Sequence, residues 1–261
     1  MKQVDVPPAT SLYMRGDDGS WQADEWASGP FDGLQGGGVA GFIGAHIERE
    51  AAAEGWGFPA SFTTHFLRPA PRGPLKVEVA PLRIGRRVSV VDATLVSEGR
   101  TIAVQRVTLI NAIDAASLPE PRREPMPDPS HHPVLAPRRV GKQVWMWTAM
   151  DVREAPDGIV WFRLRYPLLP FSAPVASVLP AADWAHGIRP FFGSDERPPV
   201  GLPNPDVTAH FCRPPEGGWI GVRPGTRYER TGTAVGWGAV FDLQGMFGRV
   251  AMSIAMLPLR A

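Results

Sequence analysis

The chain has 261 residues, of which 44% are hydrophobic and 20% charged, values typical of a globular protein with one large or two ordinary domains. A formal net charge of +1 gives no indication of nucleic-acid binding, and the single cysteine excludes an internal disulfide. No apolar run is long enough to span a membrane, and residues 1–8 contain no apolar targeting segment, so we expect a cytoplasmic protein.

The first half of the chain predicts a helix followed by an antiparallel sheet. A short strand is expected at residues 10–15, and the small-residue stretch 36–53 predicts a helix with one apolar face. Its glycines cost about 1 kcal/mol each relative to alanine, which indicates that a backbone or a ligand packs closely against this helix. Runs rich in Val, Thr, Phe and Ile predict strands at 61–67, 75–83, 87–98 and 100–110.

A proline-rich segment then leads to a second half of similar organisation. Prolines at 119, 121, 125, 127, 129, 133 and 137 disfavour both helix and central strand, so this segment is expected to be a linker. Beyond it, strands are predicted near 144–151 and 159–166, a helix near 174–186, and further strands near 206–213, 218–223, 232–243 and 248–257. This order predicts an α+β fold in which one helix packs against one antiparallel sheet, formed twice.

One short motif occurs in both halves. The sequences THFLRPAP (64–71) and AHFCRPPE (209–216) share His-Phe-x-Arg-Pro at an offset of 213 − 68 = 145 residues. Two copies of one supersecondary unit are therefore expected. Residues that recur in this way are expected to hold equivalent structure, with Arg68 and Arg213 donating to backbone carbonyls at the sheet edge.

The order of several motifs resembles the acyl-CoA thioesterase II-like family of double hot-dog proteins. The motifs are GGGVAG (36–41), FLRP (66–69), AADW (181–184), NPDVTAH (204–210) and GRVAM (248–252). The resemblance implies a tandem hot-dog fold, in which each unit is an antiparallel sheet wrapped around a central helix. It places an N-terminal unit at 1–117, the linker at 118–140 and a C-terminal unit at 141–261. Members of the family often associate further, so a homo-oligomer is expected.

The resemblance also implies a reaction, the hydrolysis of acyl-CoA thioesters by an activated water. Characterised relatives use an Asp, a Thr or Ser, and a Gln of the second unit. In this chain the motif positions correspond to Asp206, Thr226 and Met252, so the Gln is absent, and shifting the register gives only Ser253 or Ala255. We expect Asp206 and Thr226 to converge on one water.

The glycine run offers a second part of such a site. Backbone N–H groups of Gly36, Gly37 and Gly38 at a helix start could bind the substrate and polarise a thioester carbonyl. Neither a Lys-Ser/Thr pair nor a G-x-G-x-x-G pattern accompanies the run, so it does not indicate a nucleotide site. Gln105 lies on the last strand of the first half and is not expected to replace the missing Gln.

Two functions stay open at this stage. The first is an acyl-CoA thioesterase that acts on a small-molecule substrate without metal or other cofactor, since His131 and His132 lack companions at ligand spacing. The second is a non-catalytic acyl-CoA or acyl-ligand binding protein, which the missing Gln favours. A hot-dog enoyl-CoA hydratase is disfavoured, because the paired Asp and His of that class are not found on the helical segments.

Overall fold

A computed structural model describes residues 10–113, 115, 117–121, 123–136, 144–186 and 200–258. Two α-helices are present in this part of the chain, α1 (Gly36–Glu54) and α2 (Leu179–Ala182). The strands are β1 (Tyr13–Arg15), β2 (Trp21–Ala23), β3 (Phe58–Phe66), β4 (Lys76–Arg83), β5 (Val88–Ser97), β6 (Arg100–Ile110), β7 (Met150–Glu154), β8 (Val160–Leu164), β9 (Val200–Gly201), β10 (Asp206–Phe211), β11 (Ile220–Tyr228), β12 (Thr233–Asp242), β13 (Gly245–Ala255) and β14 (Leu257–Pro258).

Ten of these strands form one antiparallel sheet in the order β4-β5-β6-β3-β10-β13-β12-β11-β8-β7. The pairing of β3 with β10 joins the strands of the first half to those of the second. Alternate residues face the helices, as in β5 and β13, where buried and less buried positions alternate. The sheet wraps around α1 and the shorter α2, which confirms the expected double hot-dog architecture.

The sequence determines both ends of α1. Gln35 caps its start, because its side-chain oxygen accepts a hydrogen bond from the Gly38 N–H at 2.5 Å. Gly55 ends it in the left-handed conformation, with φ of 70°, which glycine adopts without steric cost. The observed helix matches the predicted helix at 36–53 to within one residue.

Close backbone packing accounts for the glycines of α1. A Cβ atom on Gly37 would overlap the carbonyl oxygen of Leu179, and one on Gly41 would lie 2.9 Å from the carbonyl oxygen of Ala176. A Cβ atom on Gly44 would lie 2.7 Å from the ring of Phe62. The glycines therefore bring α1 against the second helical segment (residues 176–185) on one side and against β3 on the other.

The second helical segment is less regular than predicted. A 3-10 turn at Ala176–Val178, α2 itself and a second 3-10 turn at Asp183–Ala185 follow one another without a gap. Strand β7 begins at Met150 rather than near 144, because turns occupy residues 144–149. Within the described residues, the proline-rich segment contains only a 3-10 turn at Pro129–His131 and an isolated bridge at Val134. The predicted unit boundary at 140 and 141 lies outside the described residues and stays a prediction.

The two repeated arginines differ in their partners. Arg68 donates to the backbone oxygen of Thr101 at 2.6 Å, as predicted. Arg213 donates to the backbone oxygen of Pro214 and also forms a two-pronged ion pair with Asp242, a carboxylate that is completely buried. The repeated motif therefore holds structure in both halves. No helix in the described part of the chain is long and apolar enough to cross a membrane.

Candidate active site

A cavity of about 760 Å³ lies at the end of the sheet where β3 and β13 end and β10 begins. The start of α1 and the turn that follows α2 form its inner end. Most of the side chains that line it are apolar, among them Leu34, Val39, Phe66, Trp184 and Leu202. A cavity of this size and polarity, with few polar groups, is typical of a small-molecule site.

The principal polar group of the cavity is the carboxylate of Asp183, which is only 4% exposed. One of its oxygens, Oδ2, accepts hydrogen bonds from the Gly37 N–H at 2.9 Å and from the Gln35 side-chain amide at 2.8 Å. Burial raises the pKa of the Asp183 carboxyl, while the electrostatic effect of the neighbouring His186 and the hydrogen bonds from Gly37 and Asn204 oppose that rise. A buried carboxyl with a raised pKa is well suited to accept a proton near neutral pH.

The other carboxylate oxygen of Asp183 faces Asn204. The Asn204 side-chain amide donates to Asp183 Oδ1 at 2.8 Å and also to the backbone oxygen of Asp206 at 3.1 Å. An ionised carboxylate accepts about four hydrogen bonds, and the described residues supply three of them. Asp183 Oδ1 therefore keeps one acceptor position, to which a water could donate.

The first turn of α1 places a backbone donor beside this carboxylate. The Gly37 N–H is bound to Asp183 and the Gly38 N–H to Gln35, whereas the Gly36 N–H has no acceptor within the described part of the chain. A Cβ atom on Gly36 would lie 3.4 Å from Asp183 Oδ2 and 3.3 Å from the Phe66 ring, so a side chain here would intrude on the cavity. The free N–H at the positive end of a 19-residue helix is a suitable donor to an oxyanion.

His186 closes the inner end of the cavity and is 8% exposed. Its Nδ1 lies 2.7 Å from the backbone oxygen of Asp183, and its Nε2 lies 3.1 Å from the backbone oxygen of Leu202. Its own backbone oxygen accepts a hydrogen bond from the Thr226 hydroxyl at 3.1 Å. His186 thus connects the turn that carries Asp183 to the segment that carries Asn204.

The structure does not bring Asp206, Thr226 and Met252 together, contrary to our expectation from the motifs. Strands β10 and β11 are separated by β13 and β12, so three strand spacings place them about 14 Å apart. Asp206 precedes the buried Val207 and accepts from the Ser253 N–H on the opposite face of the sheet from the helices. Thr226 and Met252 face the helices, and Met252 is 2% exposed within the core.

Other predicted site residues are only partly placed at the cavity. Gly36 lines it, whereas Gly37 binds Asp183 and Gly38 is buried beneath Met146 and Tyr13. The Gln105 amide donates to the Ala40 backbone oxygen and the Thr64 hydroxyl and lies outside the cavity lining, as expected. At the position three residues beyond Met252, Ala255 lines the cavity and supplies no amide. The described residues contain no group of three His, Cys, Asp or Glu that could hold a metal.

Sequence reasoning missed Asp183, Asn204 and Gln35 as site residues. A usable signal was present, since Asp183 is the only charged residue in the apolar stretch 179–185. A carboxylate surrounded by apolar neighbours in a helical stretch is a candidate for burial, and a buried carboxylate requires hydrogen-bond donors. The identity of those donors depends on the contact between α1 and the second helical segment, which the sequence alone does not give.

Comparisons with known proteins agree with this architecture. Residues 23–111 match the family model described as the acyl-CoA thioesterase N-terminal domain. A putative thioesterase II from Thermobifida fusca is 21% identical, with a TM-score of 0.69 over 94% of this chain and 96% of that one. A putative thioesterase from Novosphingobium aromaticivorans is also 21% identical, with a TM-score of 0.69 over 96% of this chain and 99% of that one.

An acyl-CoA thioesterase II from Mycobacterium marinum gives 17% identity and a TM-score of 0.67 over 97% of each chain. No curated protein sequence gives a significant match. At these identities the solved structures establish the fold alone, while the family model covers α1 and strands β3 to β6. Residues 23–111 are therefore similar to an acyl-CoA thioesterase N-terminal domain, and the chain as a whole has the double hot-dog fold of these solved structures.

Proposed function

We propose that the protein hydrolyses acyl-CoA thioesters to a free acid and CoA, with Asp183 as the general base. The observation that carries this proposal is the buried Asp183 carboxylate, held beside the free Gly36 N–H at the inner end of an apolar cavity. A thioester carbonyl between these groups would meet a base on one side and an oxyanion donor on the other. The match of residues 23–111 to a thioesterase domain supports the same substrate class.

The reaction needs no covalent intermediate. Asp183 Oδ1 accepts a proton from a water as the water oxygen attacks the carbonyl carbon. The Gly36 N–H stabilises the negative charge that develops on the carbonyl oxygen. When the tetrahedral intermediate collapses, the carbon–sulfur bond breaks and the proton returns to the CoA thiolate. The apolar cavity would hold the acyl chain.

Thiol release from a panel of acyl-CoAs, from C2 to C18 with aryl and branched chains, tests this proposal. We expect turnover with at least one chain length, and a loss of about 10²- to 10⁴-fold in the Asp183→Asn variant, the range for removal of a general base. Acyl-CoA binding to the variant, measured by calorimetry, controls for folding of the site. Wild-type turnover that persists in Asp183→Asn would contradict the assignment of the base.

The second candidate is a non-catalytic acyl-CoA binding protein. It is favoured by Ala255, which lines the cavity at one of the positions considered for the family's Gln and offers no hydrogen-bonding group. Binding of acyl-CoA without thiol release from any member of the panel would identify this function. Homo-oligomer formation and a cytoplasmic location stay predictions in either case.

A further inference from the structure

The two ring nitrogens of His186 face two different backbone carbonyl oxygens. Both ring nitrogens lie close to backbone carbonyl oxygens, at 2.7 Å from Asp183 O and 3.1 Å from Leu202 O. A neutral imidazole has one N–H, so one of these contacts would then oppose a nitrogen lone pair to an oxygen lone pair. Only the ring with hydrogens on both nitrogens donates to both carbonyls.

The backbone of His186 is held from two sides. The Thr226 hydroxyl holds its backbone oxygen, and a Cβ atom on Gly236 would lie 3.0 Å from the His186 Cα and overlap its Cβ, so β12 approaches it directly. His186 follows Asp183 by three residues, which in a helical turn places the two side chains on the same face. The buried His186 ring is thereby held about one turn from the buried carboxylate.

Resting on the proposed function, we infer that His186 is a positioning residue whose imidazolium keeps Asp183 ionised and fixes it relative to Asn204. The first effect is electrostatic, because an adjacent positive charge favours the carboxylate form in a buried site. The second effect is geometric, because the bond to Leu202 O ties the turn at residues 183–186 to the segment that presents Asn204. His186 makes no contact with the proposed reacting atoms in this scheme.

Other charged groups near the pair are few within the described residues. The facing positions of α1 are Gln35, Gly36 and Gly37, and those of β12 and β13 are Gly236, Met252 and Ile254, all uncharged. Arg227 on β11 and Asp206 on β10 lie on the opposite face of the sheet. Asp32 and Arg68 line the cavity on the loop side. Among the described helical and sheet elements, His186 is therefore the titratable residue that faces Asp183.

The pH dependence of kcat/KM for thiol release tests the electrostatic effect. In His186→Gln the positive charge is lost, and we expect the acid limb of the profile to move up by about 1 pH unit or more. Thr226→Val is the matched control, because it removes a hydrogen bond to the same residue without changing its charge. Its acid limb should stay in place even if KM changes. An unshifted acid limb in His186→Gln would overturn the inference.

A second measurement does not depend on turnover. The ¹⁵N chemical shifts of His186 in the labelled full-length protein report directly whether one or both ring nitrogens carry hydrogen. We expect both ring nitrogens to carry hydrogen at pH 7. A neutral His186 at pH 7 would overturn the inference, even in an active enzyme. Conversely, an imidazolium in a protein without thiol release would refute the proposed hydrolysis and leave this charge state standing.

Discussion

Replacing either of two adjacent glycines at the start of α1 by alanine should have different effects: at Gly37 it should lower stability, and at Gly36 it should lower activity. In Gly37→Ala the new methyl group would overlap the Leu179 carbonyl oxygen and lie 2.5 Å from the Asp183 Cβ. Neither neighbour is the end of a flexible side chain, so the second helical segment has to move. In Gly36→Ala the nearest atoms belong to the Phe66 ring at 3.3 Å and to Asp183 Oδ2 at 3.4 Å, which is tight but accessible.

The expected magnitudes follow from these contacts. Overpacking costs about 1–3 kcal/mol, and separating the Gly37 N–H from a charged acceptor costs about 1.5–3 kcal/mol. The higher helix propensity of alanine offsets at most about 1 kcal/mol of this loss of stability. We therefore expect Gly37→Ala to lose about 3 kcal/mol of unfolding free energy, whereas Gly36→Ala should stay within about 1 kcal/mol of the wild type.

Urea unfolding followed by tryptophan fluorescence measures the two stabilities, and thiol release measures the two activities. Gly36→Ala should fold normally yet lose about 10²-fold in turnover, because its methyl group occupies the space in front of the oxyanion donor. Wild-type stability of Gly37→Ala would refute the close helix packing. Full activity of Gly36→Ala would refute the role of the Gly36 N–H.

Two further predictions concern buried charged or titratable groups away from the site. Asp242→Asn should cost about 3–5 kcal/mol of unfolding free energy, because it breaks the buried ion pair with Arg213. Asp151→Asn, which weakens a surface ion pair, should cost about 1 kcal/mol at most. Equal losses of the two variants in urea unfolding would contradict this. Burial lowers the pKa of His46 to about 4, whereas a histidine in the unfolded chain has a pKa of about 6.5. The contribution of the neutral ring to stability is therefore complete above about pH 6.5 and is lost as the pH falls toward 4. Between pH 7 and pH 5 this residue should lower the unfolding free energy by about 2 kcal/mol. The unfolding free energy of His46→Leu should therefore fall by about 2 kcal/mol less over the same range. An unchanged dependence of the unfolding free energy on pH in this variant would contradict the assignment.

The fold was largely predictable because its determinants are local. The glycine-rich run at 36–53 and the β-branched runs of the first half each carry a period that identifies a helix or a strand, and α1 and β3–β6 follow them closely. The segment at 144–149 was predicted as strand because it contains Val144, Trp145 and Trp147. It forms turns instead, since the two tryptophans pack into the core against Trp184.

The site was less predictable because it depends on pairing between distant segments. Asp206 and Thr226 were grouped from motif positions, but strand alternation and the order of β10, β13, β12 and β11 decide which side chains meet. The burial pattern of β10 places Val207, Ala209 and Phe211 toward the core, so Asp206 points away from it. Asp183, in contrast, acquires its partners Gln35 and Gly37 only through contacts across about 146 residues of sequence.

The most direct test of the account compares the two carboxylates in one assay. Asp183→Asn and Asp206→Asn each replace a carboxylate by its amide, one at the inner end of the cavity and one on the outer face of the sheet. With the best acyl-CoA of the panel, thiol release should fall by about 10²-fold or more in Asp183→Asn and stay within about twofold of the wild type in Asp206→Asn. Loss of activity in Asp206→Asn with full activity in Asp183→Asn would contradict the central claim.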